Sequence, residues 1–461
     1  MPDRIKHVIV LILENRSFDH MLGDLRRQNA DLDGIDPNRP NTNEFEGESY
    51  PQGPGAARFL APDPKHEYEH VLKQIGKNDN RGFVRDFAEA HPHAKEKWRE
   101  VMLYHAAGSL PALHTLARHF LVCDHWYASV PGPTWPNRLF ALSGTSLGRV
   151  TMPEGLFSWN LHWYDQPTIF DRLTERGKTW KVYFTDFALS FLLTHQWEPQ
   201  NVANYYHMSQ FYRDAAPSRD DFPAFALIEP AYMPPGANDD HPPHDVHASE
   251  TLIANVYNAI RANEQLWNDT LLVVFFDEHG GFYDHAPPID LQPPDSHQGD
   301  GFDFKKSGIR VPAILVSPRV KAGVLSTRFD HTSLLKYLVD KWQLEHLGNR
   351  TANANTFADS LGETIRSDTP PRIDVPVEMA DHLPPALEKL SSAQSALVAL
   401  SHALESMGGD EPATVAARSQ FILSGPQAHL DIAMDRLESF IDRRANKLNS
   451  GFTDPQRRTR P

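Results

Sequence analysis

The stretch HVIVLILEN at residues 7–15 is apolar at nearly every position until it ends in Glu14 and Asn15. An apolar run without alternation is typical of a strand buried on both faces, as in a parallel sheet. Similar runs occupy residues 120–123, 181–184, 224–229, 271–276 and 313–317. Helical patterns lie between them, and the clearest runs from Ser249, as its N-cap, to Asn263. The alternation predicts an α/β fold, a three-layer sandwich with helices on both faces of the sheet.

Composition narrows the function classes. The 461 residues carry 45 Lys and Arg against 60 Asp and Glu, a net charge of -15, which argues against a nucleic-acid partner or a basic membrane patch. Hydrophobic residues make up 40%, enough for a sizeable core. The single cysteine, Cys123, excludes an internal disulfide framework and a thiolate metal cage. Metal chemistry would therefore use nitrogen and oxygen ligands, which the 24 histidines and the many acids can supply.

The chain divides into a catalytic-type domain over 1–372, a helical segment over 373–452 and a loose tail over 453–461. Strand-like runs stop near residue 373, and two amphipathic helices follow. We expect these helices to pair with each other or to cover the main domain. Their apolar faces are lined by Leu387, Leu390, Leu397, Leu400 and Leu404 in the first and by Leu430, Ala433, Leu437, Ile441 and Leu448 in the second.

The N-terminal apolar run bears on location. It is about a third of the length of a membrane span, and it ends in charged residues without the small residues of a signal-peptide cleavage site. We therefore expect no transmembrane segment. The sequence as given predicts a cytoplasmic protein, or a periplasmic or secreted one if it is a trimmed mature form.

Polar side chains follow two of the predicted strands directly. Glu14 and Asn15 end the first, and the acids Asp277 and Glu278 end the run at 271–276. If these strand ends meet at one sheet edge, the acids form a costly cluster of like charge unless a cation lies among them. Oxygen ligands favour one hard divalent ion, Ca²⁺, Mg²⁺ or Mn²⁺, with zinc not excluded. The alternative is that strand-end acids merely cap the next helix or turn.

A second constellation is PGPTWPNR at residues 131–138. Thr134 is predicted at the N-cap of a helix with Pro136 just inside it, so its hydroxyl would lie at the positive end of the dipole. Arg138 would follow one turn later, completing an anion site. An ordinary threonine cap is the alternative. Beside a metal cluster, the hydroxyl would lose its proton more easily and become a nucleophile.

Histidines supply a third set of candidates. The loop at 239–247 carries three of them, and we expect at least one of these imidazoles to enter the strand-edge crevice and donate a proton to a leaving group. Three further histidines have two possible roles, a structural hydrogen bond or a contact with phosphate, and the sequence favours neither. They are His66, His285 and His331. His279 is either a metal ligand or a neighbour of one.

Together these motifs resemble the bacterial phospholipase C and acid phosphatase phosphoesterase family. The resemblance covers about residues 5 to 340, in the family's order. It is carried by ENRSFDH at 14–20, GPTWPNR at 132–138 with SGT at 143–145, HPP at 241–243, DEHGGFYDH at 277–285 and DHTS at 330–333. It implies an alkaline-phosphatase-like α/β/α fold, here with a C-terminal helical appendage where larger family phospholipases carry β-rich domains.

The resemblance also implies roles for individual residues. The metal would be held by Glu14, Asn15, Asp277, Glu278 and Thr134. Thr134 would be the nucleophile, His241 and His66 would face the phosphate, and Arg138 would offset its charge. We place the substrate-binding side chains at Asn137, His279, His285 and Trp135.

These roles predict a metal-dependent phosphoesterase that works through a phospho-threonine intermediate, most closely a phospholipase C. The first alternative is a broad-specificity acid phosphatase. The second is a non-catalytic binding protein in which the metal ion only stabilises long loops. A sulfatase is excluded because Cys123 lacks the required Pro and Arg spacing.

The choice of phosphoester or phospholipid depends in part on aromatic side chains. Such rings could bind the quaternary ammonium of a choline headgroup through cation–π attraction, or they could belong to the hydrophobic core. They are Trp126, Trp135, Trp159, Trp163, Tyr164 and Trp180.

Overall fold

The computed structural model describes residues 4–152, 164–376, 390, 392–407 and 426–448. Its strands are β1 (His7–Leu13), β2 (Thr42–Phe45), β3 (Glu48–Pro51), β4 (Gly53–Pro54), β5 (Leu103–Tyr104), β6 (Leu121–Val122), β7 (Trp126–Tyr127), β8 (Trp180–Phe184), β9 (Tyr205–His207), β10 (Phe225–Ile228), β11 (Thr270–Phe276), β12 (Ala313–Val316), β13 (Gly323–Val324) and β14 (Phe329–Asp330). Its α-helices are α1 (Phe18–Met21), α2 (Tyr68–Ile75), α3 (Phe83–Ala90), α4 (Pro111–His119), α5 (Thr134–Ser143), α6 (Ile169–Glu175), α7 (Pro199–Val202), α8 (Met208–Asp214), α9 (Val246–Ala262), α10 (Glu264–Asn268), α11 (Thr332–Trp342), α12 (Gly348–Asn353), α13 (Ser392–Met407) and α14 (Pro426–Leu448).

Eight of these strands form the central sheet, in the order β13-β6-β12-β11-β1-β10-β8-β9. All six predicted apolar runs contribute a strand to it, which confirms the α/β class. The sheet is mixed, however, because β12 runs antiparallel to both β11 and β6. A strand buried on both faces reads as a continuous apolar run in either direction, so the pattern could not reveal this reversal.

The register of β1 brings the functional residues together. β1 lies between β10 and β11, parallel to both, and Leu13 pairs with Phe276. The residues that follow this pair therefore leave the sheet side by side, and the backbone N–H of Asp277 donates to Leu13 O at 3.0 Å. β11 is buried throughout and β1 is buried from Val8 onward, which fixes their register because a one-residue slip would turn each side chain to the other face.

Helix α9 begins earlier than the sequence pattern predicts. Its N-cap is Asp245, whose carboxylate accepts the backbone N–H of His247 at 3.0 Å. The predicted cap, Ser249, lies inside the first turn, where its hydroxyl donates to Asp240 at 2.6 Å. Both Asp and Ser are good capping residues, so composition alone could not choose between them.

The two C-terminal helices, α13 and α14, pack against each other and form the C-terminal hairpin, and α14 also contacts α7. The ring of Phe440 lies 5.9 Å from that of Phe191 and 6.2 Å from that of Trp197. The predicted apolar faces are confirmed where they are described: Leu397, Leu400, Leu404, Leu430, Ala433, Leu437 and Ile441 are buried. Leu387, the side chain of Leu448 and the tail at 453–461 lie outside the described residues.

Helices α4, α9 and α10 pack as one group, and α5 packs with α6 and α11 as another, which gives the three-layer α/β/α architecture. Within the described part of the chain, no helix has both the length and the apolar content needed to cross a bilayer.

Candidate active site

Three buried carboxylates surround one guanidinium at the carboxyl edge of the sheet. Arg138 donates from Nη2 to Glu14 at 3.2 Å, from Nη1 to Glu229 at 3.4 Å and from Nε to Asp277 at 3.2 Å. Glu14, Glu229 and Asp277 each follow a central strand, so the parallel strands deliver them to the same place. The predicted meeting of Glu14 and Asp277 is thus present in the structure.

One positive charge does not balance this cluster. Burial and the neighbouring Asp277 raise the pKa of Glu14 well above its usual range. Burial likewise raises the pKa of Asp277 to about 7, although Arg138 opposes the shift. A further cation at this edge would restore the charged form of both carboxylates. In the structure, each of the three nitrogens of Arg138 donates to one of these carboxylates, so the guanidinium holds the acids together.

Asn15 connects the strand edge to Thr134. Its backbone N–H donates to Asp277 Oδ1 at 3.2 Å, and its side-chain Oδ1 accepts the Thr134 hydroxyl at 3.4 Å. Asn15 has a positive φ of 59°, a conformation that Asn tolerates better than most residues. Gly280 permits this turn, because a Cβ there would lie 2.1 Å from the carbonyl oxygen of Asn15.

Thr134 is the first residue of α5 and not its N-cap. The cap position is Pro133, and no side chain caps this helix end. The prediction was one residue out because a Pro two positions later is compatible with either register. The Thr134 hydroxyl is therefore not occupied in capping and donates to Asn15 instead, as a candidate nucleophile requires. Thr134 is buried, at 1% exposure.

Two imidazoles approach the same region. The rings of His66 and His241 lie 5.4 Å apart, and Asn15 Nδ2 lies 3.2 Å from His66 Nε2. Burial lowers the pKa of His66, but Glu278 and Asp63 outweigh it and raise the value to about 9. Burial and the charge of His66 lower the pKa of His241 well below its usual range. Among the described residues, Nε2 of His241 has no hydrogen-bond partner.

The donor set suits a divalent cation. Glu278 Oε1 is buried and lacks a hydrogen-bond partner within the described ranges, while Oε2 accepts from Gly280 at 2.7 Å. An unpaired buried carboxylate oxygen is costly, and a bound cation would satisfy it. Together with the amide of Asn15 and the hydroxyl of Thr134, this group offers the hard oxygen ligands that Mg²⁺, Mn²⁺ and Ca²⁺ prefer.

Among the described residues, two groups of three side chains have potential metal-ligand atoms that all lie within 4.8 Å of one another. They are Asp63 with His66 and His241, and Asp19 with Asp284 and His285. The first adjoins Asn15 through His66. In the second, Arg310 already provides the positive charge, donating to Asp284 and Asp19 at 3.1 Å each.

His285 belongs to this second group, where both of its ring nitrogens contact carboxylates. Its Nδ1 contacts Asp19 at 2.9 Å and its Nε2 contacts Asp33 at 3.1 Å. Burial lowers the pKa of His285, but Asp19 outweighs this and raises it to about 10. A charged imidazole with both N–H groups occupied acts as a brace of the fold.

Asn137 and His279 are both hydrogen-bonded to other groups of the protein. Asn137 accepts the backbone N–H of Val130 at 3.1 Å and donates to Gly132 O at 2.9 Å, which fixes the loop before α5. His279 Nε2 lies 2.7 Å from Gln74 Oε1, and its Nδ1 lies 3.3 Å from Glu278. Asn137 thus stabilises the loop that precedes Thr134, and His279 contacts Glu278. His331 also serves structure, with Nε2 donating to Asp277 O at 2.6 Å.

Three of the six aromatic side chains singled out from the sequence, Trp126, Tyr164 and Trp180, are buried in the hydrophobic core. Trp126 packs on Phe275, and Trp180 packs on Phe170. Trp159 and Trp163 lie outside the described residues. Trp135 is the exception, because it lines a cavity together with Thr134.

That cavity has a volume of about 10 Å³, room for roughly one water molecule. Its lining includes site residues that the sequence reading did not assign: Leu189, Tyr232, Asp239, His244, Gln394 and Leu397. Glu229 was also unassigned, although it follows a predicted strand just as Glu14 does. Applying the strand-end rule to every apolar run would have found it. No comparable pattern points to Gln394 or Leu397, which come from helix α13.

Sequence comparison places this site among known enzymes. Non-specific phospholipase C6 of Arabidopsis thaliana is 33% identical over 416 residues, covering 82% of this chain and 76% of the relative. Phospholipase C A of Mycobacterium tuberculosis is 26% identical over 446 residues, covering 84% of this chain and 82% of the relative. The fold, the site and these relatives together define a hydrolase of phosphoric ester bonds.

Residues 5–345 match the sequence profile of the Phosphoesterase family, and the chain belongs to that family. A solved structure of an alkaline phosphatase superfamily protein from Vibrio parahaemolyticus aligns over 78% of this chain and 73% of that one. Its TM-score is 0.36 at 11% identity.

Proposed function

We propose that this phosphoesterase is a phospholipase C-type phosphodiesterase that cleaves the bond between glycerol and phosphate in phospholipids. The observation that carries the proposal is the position of the Thr134 hydroxyl. It does not cap helix α5, and it donates to Asn15 at the sheet edge where Glu14 and Asp277 meet. Similarity to phospholipases C from a plant and a bacterium supports the substrate class.

Thr134 is the proposed nucleophile. The Thr134 hydroxyl gives its proton to solvent, and its Oγ forms a bond to phosphorus as the bond from phosphorus to the glycerol oxygen breaks in line, which leaves a phospho-threonine diester. His241 Nε2, a buried atom that has no hydrogen-bond partner among the described residues, gives the departing oxygen its proton. Water then attacks phosphorus and gives a proton to His241, the bond from phosphorus to Thr134 Oγ breaks, and Oγ regains a proton from solvent as the phosphorylated headgroup leaves.

The remaining residues hold this arrangement. His66, with its raised pKa, places a positive charge beside a phosphate oxygen. The negative charge of a bound phosphate raises the pKa of His241, which opposes the lowering effect of burial and of His66. Arg138 keeps the three strand-end carboxylates in place.

We propose that Glu14, Asn15, Asp277, Glu278 and Thr134 bind one divalent cation. When bound, it would withdraw charge from the phosphate and lower the pKa of the Thr134 hydroxyl.

A substrate comparison tests the proposal. Purified protein, chelated and then resupplied with Mg²⁺, Mn²⁺, Ca²⁺ or Zn²⁺, is offered phosphatidylcholine in vesicles and the phosphomonoester glycerol phosphate. We expect kcat/KM for the lipid to exceed that for the monoester by about 100-fold or more, the discrimination that a few buried contacts provide. Release of diacylglycerol is the measurement. Equal or better turnover of the monoester would make the protein an acid phosphatase instead.

A further inference from the structure

The side chain of Gln394, on helix α13, reaches the catalytic region from the C-terminal hairpin. It is buried, at 2% exposure, and its Nε2 lies 3.2 Å from Nε2 of His244. On its other nitrogen, His244 donates to Asp239 Oδ1 at 2.7 Å. The same oxygen of Asp239 accepts the backbone N–H of His241 at 3.0 Å. A continuous hydrogen-bonded chain therefore links the hairpin to the loop that carries His241.

Asp239 also anchors the other side of the site. Its backbone oxygen accepts the N–H of Glu14 at 2.7 Å, directly at the end of β1. The loop that presents His241 is thus fixed between the central sheet on one side and helix α13 on the other. Gln394 and Leu397 line the same small cavity as Thr134 and His241, so α13 forms part of the wall of the site.

We propose that Gln394 is a positioning residue for His241, acting through His244 and Asp239, and that the C-terminal hairpin thereby completes the active site. The inference rests on the proposed function, since it assumes that His241 protonates the leaving oxygen. Gln394 itself touches no reacting atom in this scheme.

A primary amide suits this position. If His244 is neutral, with its proton on Nδ1 toward Asp239, its Nε2 accepts from the amide N–H. If His244 is charged, a rotated amide accepts from Nε2–H through its oxygen. Gln394 can therefore hold the ring in both states, whereas leucine, similar in size, can hold it in neither.

The test uses the dependence of rate on the leaving group. A poor leaving group such as an alkyl alcohol needs a proton in the transition state, and para-nitrophenolate needs it much less. We compare the full-length protein, Gln394→Leu and His241→Ala on a short-chain phosphatidylcholine and on para-nitrophenyl phosphocholine. Gln394→Leu is expected to lower kcat for the alkyl ester about 10-fold and for the para-nitrophenyl ester by less than about twofold.

Leu404→Ala provides the matched control. Leu404 is fully buried on the same helix but does not line the cavity, so its truncation loosens the hairpin without breaking the chain to His241. We expect it to leave the ratio of the two kcat values unchanged. Circular dichroism confirms that each variant is folded before its kinetics are read.

The outcomes separate the two claims. If His241→Ala shows the leaving-group split and Gln394→Leu shows none, or loses both activities equally, the positioning role is wrong while the proposed function stands. If His241→Ala itself shows no split, the proton-donor assignment fails and the positioning role fails with it.

Discussion

Replacing Thr134 by alanine is expected to lower kcat for every phosphoester substrate by roughly 10⁴-fold or more, the loss typical of removing a covalent nucleophile. The side chain is almost fully buried, at 1% exposure, and the substitution removes only a hydroxyl and a methyl group. The fold should therefore survive, and thermal unfolding should show a native-like midpoint. Initial rates on the phosphatidylcholine vesicles provide the measurement.

Two further variants make this result specific. Thr134→Ser keeps the hydroxyl and should retain substantial activity. Ser143→Ala removes a hydroxyl from the far end of the same helix, where it donates to Leu139 O at 2.8 Å, and should leave kcat nearly unchanged. If Thr134→Ala were as active as Ser143→Ala, Thr134 could not be the nucleophile.

Removing divalent cations is expected to have the second largest effect. Chelation should reduce hydrolysis to background, because the strand-edge acids would then repel the phosphate and the pKa of the Thr134 hydroxyl would no longer be lowered. Readdition of Mg²⁺, Mn²⁺ or Ca²⁺ should restore the rate. Elemental analysis of the desalted protein should find about one divalent ion per chain, an amount that oxygen ligands of this kind commonly hold.

Substitutions locate that ion independently of activity. Asp277→Asn and Glu278→Gln remove ligand charge with little change of shape, and each should lower the metal content by more than half. Asp368→Asn, at an exposed acid paired with Arg366, is the control and should bind as the unchanged protein does. Full metal content in all three variants would place the ion elsewhere, with the group of Asp63, His66 and His241 as the next location to examine.

The parts of the site that lie at strand ends could be predicted from the sequence. Glu14 and Asp277 follow long apolar runs, and parallel pairing of such runs dictates that the next residues meet. The reversal of β12 could not be predicted in the same way, because burial on both faces erases the alternation that distinguishes the two kinds of sheet.

Side-chain direction is what the sequence left open. Asn137, His279 and His285 all lie in motifs beside the candidate site, yet each is held by partners on its other side: Val130, Gln74 and Asp19. A motif fixes which residues are near and not which atoms they face. Gln394 was out of reach for a different reason, since its contact with His244 spans 150 positions and depends on how the C-terminal hairpin docks.

The central claim is that chemistry occurs on the Thr134 oxygen. The most direct measurement is mass spectrometry of enzyme that is mixed with excess phospholipid and quenched in acid within the first turnover. We predict that the peptide containing Thr134 carries the mass of the transferred phosphocholine group, and that the same peptide from Thr134→Ala does not. An enzyme that turns over with Thr134 unmodified, or with the label on another residue, would contradict the account.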